Sequence, residues 1–302
     1  MKRIALASLI LALQLNVIAA TDAPWMPESH QAPGPGDSKV YERMLKVLQD
    51  PEIILKEVKF RNGSDSINGF LARPNKTGRL PALVVVPGDP GLTAYTRVTA
   101  AQFAQAGFVA LAVDIFSRAA GIQDLQEARR IYFDVMSDPL TLGDLQSAIV
   151  FLKQQEFVRS GGVGVVGFCL GGRYALLLSA LSLDVRAVVA FYGPLALQSG
   201  APDVASAKPV KLLNHDMSPV DFVPWIKAPI QGHYSERDDG IPVADVRAFE
   251  SALRGRGGQA DFFLYDVPSH FHSFHEALYD AAAASLAWNR TIKFLRSYVP
   301  QN

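Results

Sequence analysis

"VVGFCLGGRYA", residues 165–175, decides how this chain folds. It joins an apolar, β-branched run ("GVGVVGF", 162–168) to a helical stretch ("RYALLLSALSL", 173–183). The turn between them holds Gly171, Gly172 and Cys169, the single cysteine of 302 residues, with Gly167 just before it. A run too short and too β-branched for a helix, then glycines, then a helix is a strand–turn–helix unit. The same texture extends in both directions. "ALVVVP" (82–87), "FVALAVD" (108–114), "RAVVAFYG" (186–193), "APIQGHY" (228–234) and "ADFFLYDV" (260–267) read as strands. Helical patterns fall near 95–107, 121–135, 140–157, from about 170, near 243–254, and in a last helix to about Tyr298. Continuous apolar strands alternating with helices predict a mostly parallel central sheet covered by helices on both faces. Upstream, a short amphipathic helix is expected at about 38–49, then a β-hairpin, "IILKEVKF" and "SINGFLARP", turning at Asn62-Gly63.

Length alone, at a prior of roughly 150 residues per domain, suggests two domains. The sequence shows no repeat and no second core, so residues 51–302 are expected to form one α/β domain. Residues 1–20 ("MKRIALASLILALQLNVIAA") have basic Lys2 and Arg3, an apolar run and a small-residue end, the layout of a cleaved signal peptide. A buried first helix is the bland alternative. A membrane anchor fits less well, because Gln14 and Asn16 interrupt a run short of the roughly 20 apolar residues a span prefers. Residues 21–50 then read as a Pro/Gly-rich tether and a short helix. Export to the periplasm or beyond follows, with no membrane attachment after cleavage. Lys plus Arg (29) balance Asp plus Glu (29), which leaves no basic excess to recruit nucleic acid.

A lone cysteine cannot form an internal disulfide. In an exported chain it is either a small buried hydrophobe or a thiol kept for its chemistry. "GFCLGG" (167–172) fits the G-x-nucleophile-x-G elbow, with Cys169 where Ser is usual, Gly167 and Gly171 removing Cβ atoms from a tight turn, and a helix N-terminus beneath the thiol. A phosphate-binding loop is the competing reading, but neither GxGxxG nor GxxxxGK[ST] spacing is present. A cysteine nucleophile needs a base and an orienting acid, which elbow folds supply in the order nucleophile, acid, His. "GHYSERDDG" (232–240) and "VPSHFHSFHE" (267–276) follow strands in that order. His270, His272 and His275 could instead be a metal cluster, although no carboxylate or cysteine motif accompanies them.

These motifs, with "GFLARP" (69–74), "GFVALAVDIF" (107–116) and "FYG" (191–193), resemble the dienelactone hydrolase family, carboxymethylenebutenolidase-like proteins of the α/β-hydrolase fold. The resemblance runs from about Glu57 to Leu295. It implies a cysteine-dependent hydrolase of lactones or small esters, acting through a thioester, with a small-molecule substrate, no cofactor and a monomeric state. It places the base on His272 of "HSF", the acid on Asp238 (Asp239 being the alternative), and oxyanion amides on Leu170 and on Asp89 of "PGDPGL". Arg118 of "DIFSR" matches an arginine that holds a substrate carboxylate, or else is an ordinary surface arginine. Two positions depart from the family pattern. Gly88 stands where a glutamate is common, and Glu276 where dienelactone hydrolase itself has a second carboxylate-binding arginine. The alternative function is an exported binding protein that keeps the fold with little turnover. Asn62-Gly63-Ser64, Asn75-Lys76-Thr77 and Asn289-Arg290-Thr291 match the glycosylation pattern only weakly, and Arg129-Arg130 read as a solvated helix face.

Overall fold

The computed structural model describes residues 38–88, 91–119, 136–196, 216–274 and 277–300. Eight strands form one sheet: β1 (Ile53–Asn62), β2 (Asp65–Pro74), β3 (Ala82–Val86), β4 (Val109–Val113), β5 (Val163–Phe168), β6 (Val185–Phe191), β7 (Ile230–Arg237) and β8 (Ala260–Pro268). Their spatial order is β1-β2-β4-β3-β5-β6-β7-β8. β1 and β2 form an antiparallel hairpin, and β2 joins β4 antiparallel, while β4 through β8 are parallel. The expected architecture is present, and the hairpin caps one edge of the sheet.

Seven helices are described: α1 (Ser38–Leu45), α2 (Ala94–Gln105), α3 (Asp138–Lys153), α4 (Leu170–Leu181), α5 (Pro219–Phe222), α6 (Val243–Gly255) and α7 (Ala281–Tyr298). A 3₁₀ turn, Lys46–Gln49, extends α1 over the expected 38–49. The helical pattern at 121–135 lies outside the described residues, as do the expected signal peptide and most of the tether.

The central strands are buried on both faces, so alternate residues feed two cores. Val84, Val86, Val165 and Val188 pack with the apolar sides of α3, α4 and α6. Leu83, Val85, Val166 and Val189 pack with α2, α7 and Tyr41 of α1. Every residue of β3 and β5 is buried, which explains why those strands read as unbroken apolar runs. The hairpin turn falls one residue later than expected. Asn62 pairs with Asp65, leaving Gly63 (φ +60°) and Ser64 as the loop. Asn62 Nδ2 donates to Asp144 Oδ1 at 2.8 Å, a partner on α3 that keeps Asn62 within the strand.

Candidate active site

Parallel strands deliver their carboxyl ends to one edge of the sheet, where the following loops converge. In the described residues only three non-glycine residues have positive φ: Cys169 (+52°), Tyr192 (+39°) and His270 (+61°). They follow β5, β6 and β8, all at that edge. Such backbone costs on the order of 1–3 kcal/mol per residue and persists where the surroundings impose it.

The turn at Cys169 is imposed by backbone crowding. A Cβ on Gly167 would lie 2.0 Å from the Gly171 carbonyl oxygen, and one on Gly171 would lie 2.2 Å from that of Val86. Only glycine allows strand, turn and helix to approach so closely. The Cys169 amide donates to the Phe191 carbonyl at 2.9 Å, tying the elbow to the end of β6. Cys169 is the N-cap of α4 (φ +52°, ψ −121°) and its side chain is half-buried. Leu170 opens that helix, so its amide has no acceptor four residues back and can face an incoming oxyanion.

Deeper in α4, Arg173 and Asp138 form a buried pair. The guanidinium donates to both carboxylate oxygens at 2.8 and 2.5 Å and to the Met217 carbonyl at 2.6 Å. Tyr174 Oη and the Met217 amide also donate to Asp138, both at 2.9 Å. This cluster locks α4 to the start of α3.

The other oxyanion candidate, Asp89, lies outside the described residues. The Gly91 amide donates to the Gly88 carbonyl at 2.8 Å, and Gly91 has φ +77°. A Cβ on Gly91 would lie 2.8 Å from the Phe116 ring.

Asp238 and His272, the candidate acid and base, each have other partners in this structure. Asp238 follows β7, and its Oδ1 accepts the amides of Gly240 (2.8 Å) and Ile241 (3.1 Å). Its Oδ2 accepts the Ser269 hydroxyl at 2.5 Å. No hydrogen bond joins Asp238 to His272. Instead His272 Nδ1 shares a 2.7 Å hydrogen bond with Tyr95 Oη. The His272 ring lies under the edge, against Phe168 (5.4 Å between centroids) and Phe191 (4.9 Å). Burial pulls its pKa down to about 4. The apolar ends of β5 and β6 offer the flat ring a site, while Asp238 accepts two bonds from its own turn and one from Ser269. His270, by contrast, is the residue next to Asp238's hydroxyl partner. It is half-buried, with its ring 4.9 Å from that of Tyr192 at the exit of β6.

Arg118 is engaged by two carboxylates. Its Nε and Nη2 donate to Asp144 at 3.1 and 2.7 Å, and its Nη1 pairs with Asp65. The bonds to Asp144 raise its pKa, so the cation is permanent and already neutralised. His275 and Glu276 lie outside the described residues, and Asp239 is an exposed neighbour of Asp238.

Tyr95 and His233 were not singled out by the sequence. His233 is fully buried in β7, bonded to Tyr265 Oη (2.8 Å) and Gln231 Oε1 (3.0 Å). Burial, then the nearby His272 and Arg290, keep it neutral.

A cysteine elbow on a mostly parallel sheet, with an acid after β7 and a histidine loop after β8, defines an α/β-hydrolase. Residues 67–299 match the Dienelactone hydrolase family, to which the chain belongs, and it is a lactone/ester hydrolase of that family. A Bradyrhizobium sp. protein named "Probable 2-oxo-3-(5-oxofuran-2-ylidene)propanoate lactonase" is 36% identical over 238 residues, covering 78% of this chain and 90% of that protein. A Methylorubrum extorquens protein named as a carboxymethylenebutenolidase is 31% identical over 250 residues, 82% of each chain. A Klebsiella pneumoniae crystal structure assigned as a dienelactone hydrolase superposes with a TM-score of 0.72 at 25% identity, over 82% of this chain and 99% of that one.

Proposed function

We propose that the chain is an exported hydrolase of uncharged lactones or small esters that works through Cys169, with His272 as its base and Asp238 as the acid. The observation that carries this reading is the backbone of Cys169, held at φ +52° on a helix N-terminus by glycines that tolerate no side chain. The thiolate attacks the carbonyl carbon. The oxyanion is met by the amide of Leu170 and by that of Asp89. The tetrahedral adduct collapses to a thioester as the C–O bond breaks, and the imidazolium gives its proton to the departing alkoxide. Water then yields a proton to the imidazole, its hydroxide adds to the thioester, and the thiolate leaves as the acid product forms.

His272 is favoured as the base by its place against Phe168, the residue before Cys169, and Phe191, whose carbonyl accepts the Cys169 amide. Asp238 and His272 would engage when substrate binds, in keeping with the loose geometry common before that step. Uncharged substrates are favoured because Arg118, the cation expected to greet a carboxylate, is bonded to Asp144 and Asp65. Export rests on the arrangement of residues 1–20.

The test is a turnover screen across neutral and carboxylated lactones, enol esters and acyl esters, with Cys169→Ala and His272→Ala beside the wild type. Both variants should be inactive, and quenched wild-type reactions should carry the acyl mass on the Cys169 peptide. Turnover surviving in Cys169→Ala refutes the mechanism. Stoichiometric acylation or alkylation without turnover marks a binding protein instead.

A further inference from the structure

We propose that Tyr41, on the short helix α1, is a positioning residue for the base His272 and acts on it through Phe274. The proposal rests on His272 as the base, and it gives the N-terminal helix a share in the active site. That helix, Ser38–Leu45, precedes the residues 67–299 that match the family.

A helix this short does not hold itself together in water, where fewer than roughly 12–15 residues are marginal. α1 forms because Val40, Tyr41, Met44 and Leu45, continued by Leu48, lie on the second core, while Glu42, Arg43 and Lys46 face solvent. Two polar contacts fix it along α2. Gln102 Nε2 donates to Met44 Sδ at 3.6 Å, and Gln105 Nε2 donates to Asp50 Oδ2 at 2.5 Å. Docked in this way, α1 turns Tyr41 inward until 8% of it remains exposed.

Tyr41 meets the loop that carries the base. Its ring centroid lies 5.9 Å from that of Phe274, a buried residue two positions after His272. Phe274 in turn lies 5.3 Å from Tyr95 of α2. The Tyr95 ring is 6.0 Å from the His272 imidazole, and its Oη shares the 2.7 Å hydrogen bond with Nδ1. Four rings from α1, α2 and the base loop therefore form one cluster. Residues 269–274 belong to neither a helix nor a strand, so their place depends on the side chains packed against them. Removing the Tyr41 ring leaves a cavity beside Phe274. Close-packed interiors relax into such a space, and two residues of backbone pass the shift to His272.

The experiment measures kcat and KM for a small p-nitrophenyl acyl ester on the intact protein and on Tyr41→Ala, Tyr41→Leu, Tyr41→Phe and Met44→Ala. Tyr41→Ala should lose about 10- to 100-fold in kcat, the scale of a misplacement of around 1 Å, with KM nearly unchanged. Tyr41→Phe keeps the ring and should retain wild-type kcat. Tyr41→Leu keeps an apolar side chain without the ring. It should lose about tenfold in kcat, and it decides the matter if Tyr41→Ala does not fold. Met44→Ala truncates another residue of the same packed face, and should lower the melting temperature while leaving kcat unchanged. Wild-type kcat in Tyr41→Ala or Tyr41→Leu overturns the proposal. So does an equal loss of kcat in Met44→Ala, which would mark a general loosening of α1, or a Tyr41→Phe as slow as Tyr41→Ala. His272→Ala run alongside tests the base separately: turnover surviving there sinks the base assignment, whereas a dead His272→Ala beside an unimpaired Tyr41→Ala sinks only the role of α1.

Discussion

Acidification from pH 7 to pH 5 should destabilise the fold by about 2 kcal/mol through His272 alone. Burial among Phe168, Phe191 and Trp288 lowers its pKa from the ordinary 6.5 to about 4. Between those values the unfolded chain binds a proton that the native chain refuses. The stabilisation is therefore fully present above 6.5 and is lost as pH falls toward 4. At about 1.4 kcal/mol per pH unit the whole window is worth roughly 3 kcal/mol, of which about 2 is gone by pH 5. The groups facing His272 are Tyr95 from α2 and His233 from β7, with Arg290 of α7 beyond His233. His233 is lowered in the same direction and steepens the loss. Asp114, whose carboxyl is raised by burial, acts in the opposite sense. Urea denaturation of the wild type and His272→Phe at pH 7 and pH 5 isolates the one residue, because His233 and Asp114 remain in both proteins. The variant should lose about 2 kcal/mol less than the wild type on acidification. Equal losses in the two proteins would refute the reasoning.

Asp138→Ala should cost about 3–5 kcal/mol in chemical denaturation by stranding the Arg173 guanidinium, while Asp138→Leu with Arg173→Met should recover most of it. Gly171→Ala forces a Cβ to 2.2 and 2.4 Å from the backbone oxygens of Val86 and Pro87, so kcat should collapse and the melting temperature fall; wild-type kcat would show that the elbow tolerates a side chain. Asp65→Ala with Asp144→Ala frees Arg118, and KM for a carboxylated lactone should drop about tenfold or more, since a charge-assisted bond contributes about 1.5–3 kcal/mol. A matched neutral lactone run beside it should keep its KM; equal changes in both would mean that Arg118 does not face the substrate. Iodoacetamide should alkylate Cys169 near neutral pH faster than an ordinary thiol of pKa about 8.5, and an inert thiol in the folded, reduced protein counts against the nucleophile.

What could be read from the chain alone divides along one physical line. Gly167 and Gly171 declare a backbone approach, because their spacing around Cys169 makes sense only where a Cβ cannot fit, and 2.0 and 2.2 Å clearances are what the fold contains. Strands β3 and β5 declare burial on both faces by their composition. These are local demands, and a local stretch records them. The histidine loop records no such demand: three histidines within six residues have neither a helical nor a strand period. Which ring turns inward is decided by Tyr95, 177 residues away, and by the flat ends of β5 and β6. Arg118 is the same case, since its occupation depends on Asp144 and Asp65, 26 and 53 residues distant. A motif carries a residue's position on the scaffold but not the partner that claims its side chain. In this chain Tyr95 and Asp144 are such claims: one holds the His272 ring, the other the Arg118 guanidinium. A site of this kind is selective by what its neighbours have already bound, and altering those neighbours, rather than the thiol or its base, is the way to change what it accepts.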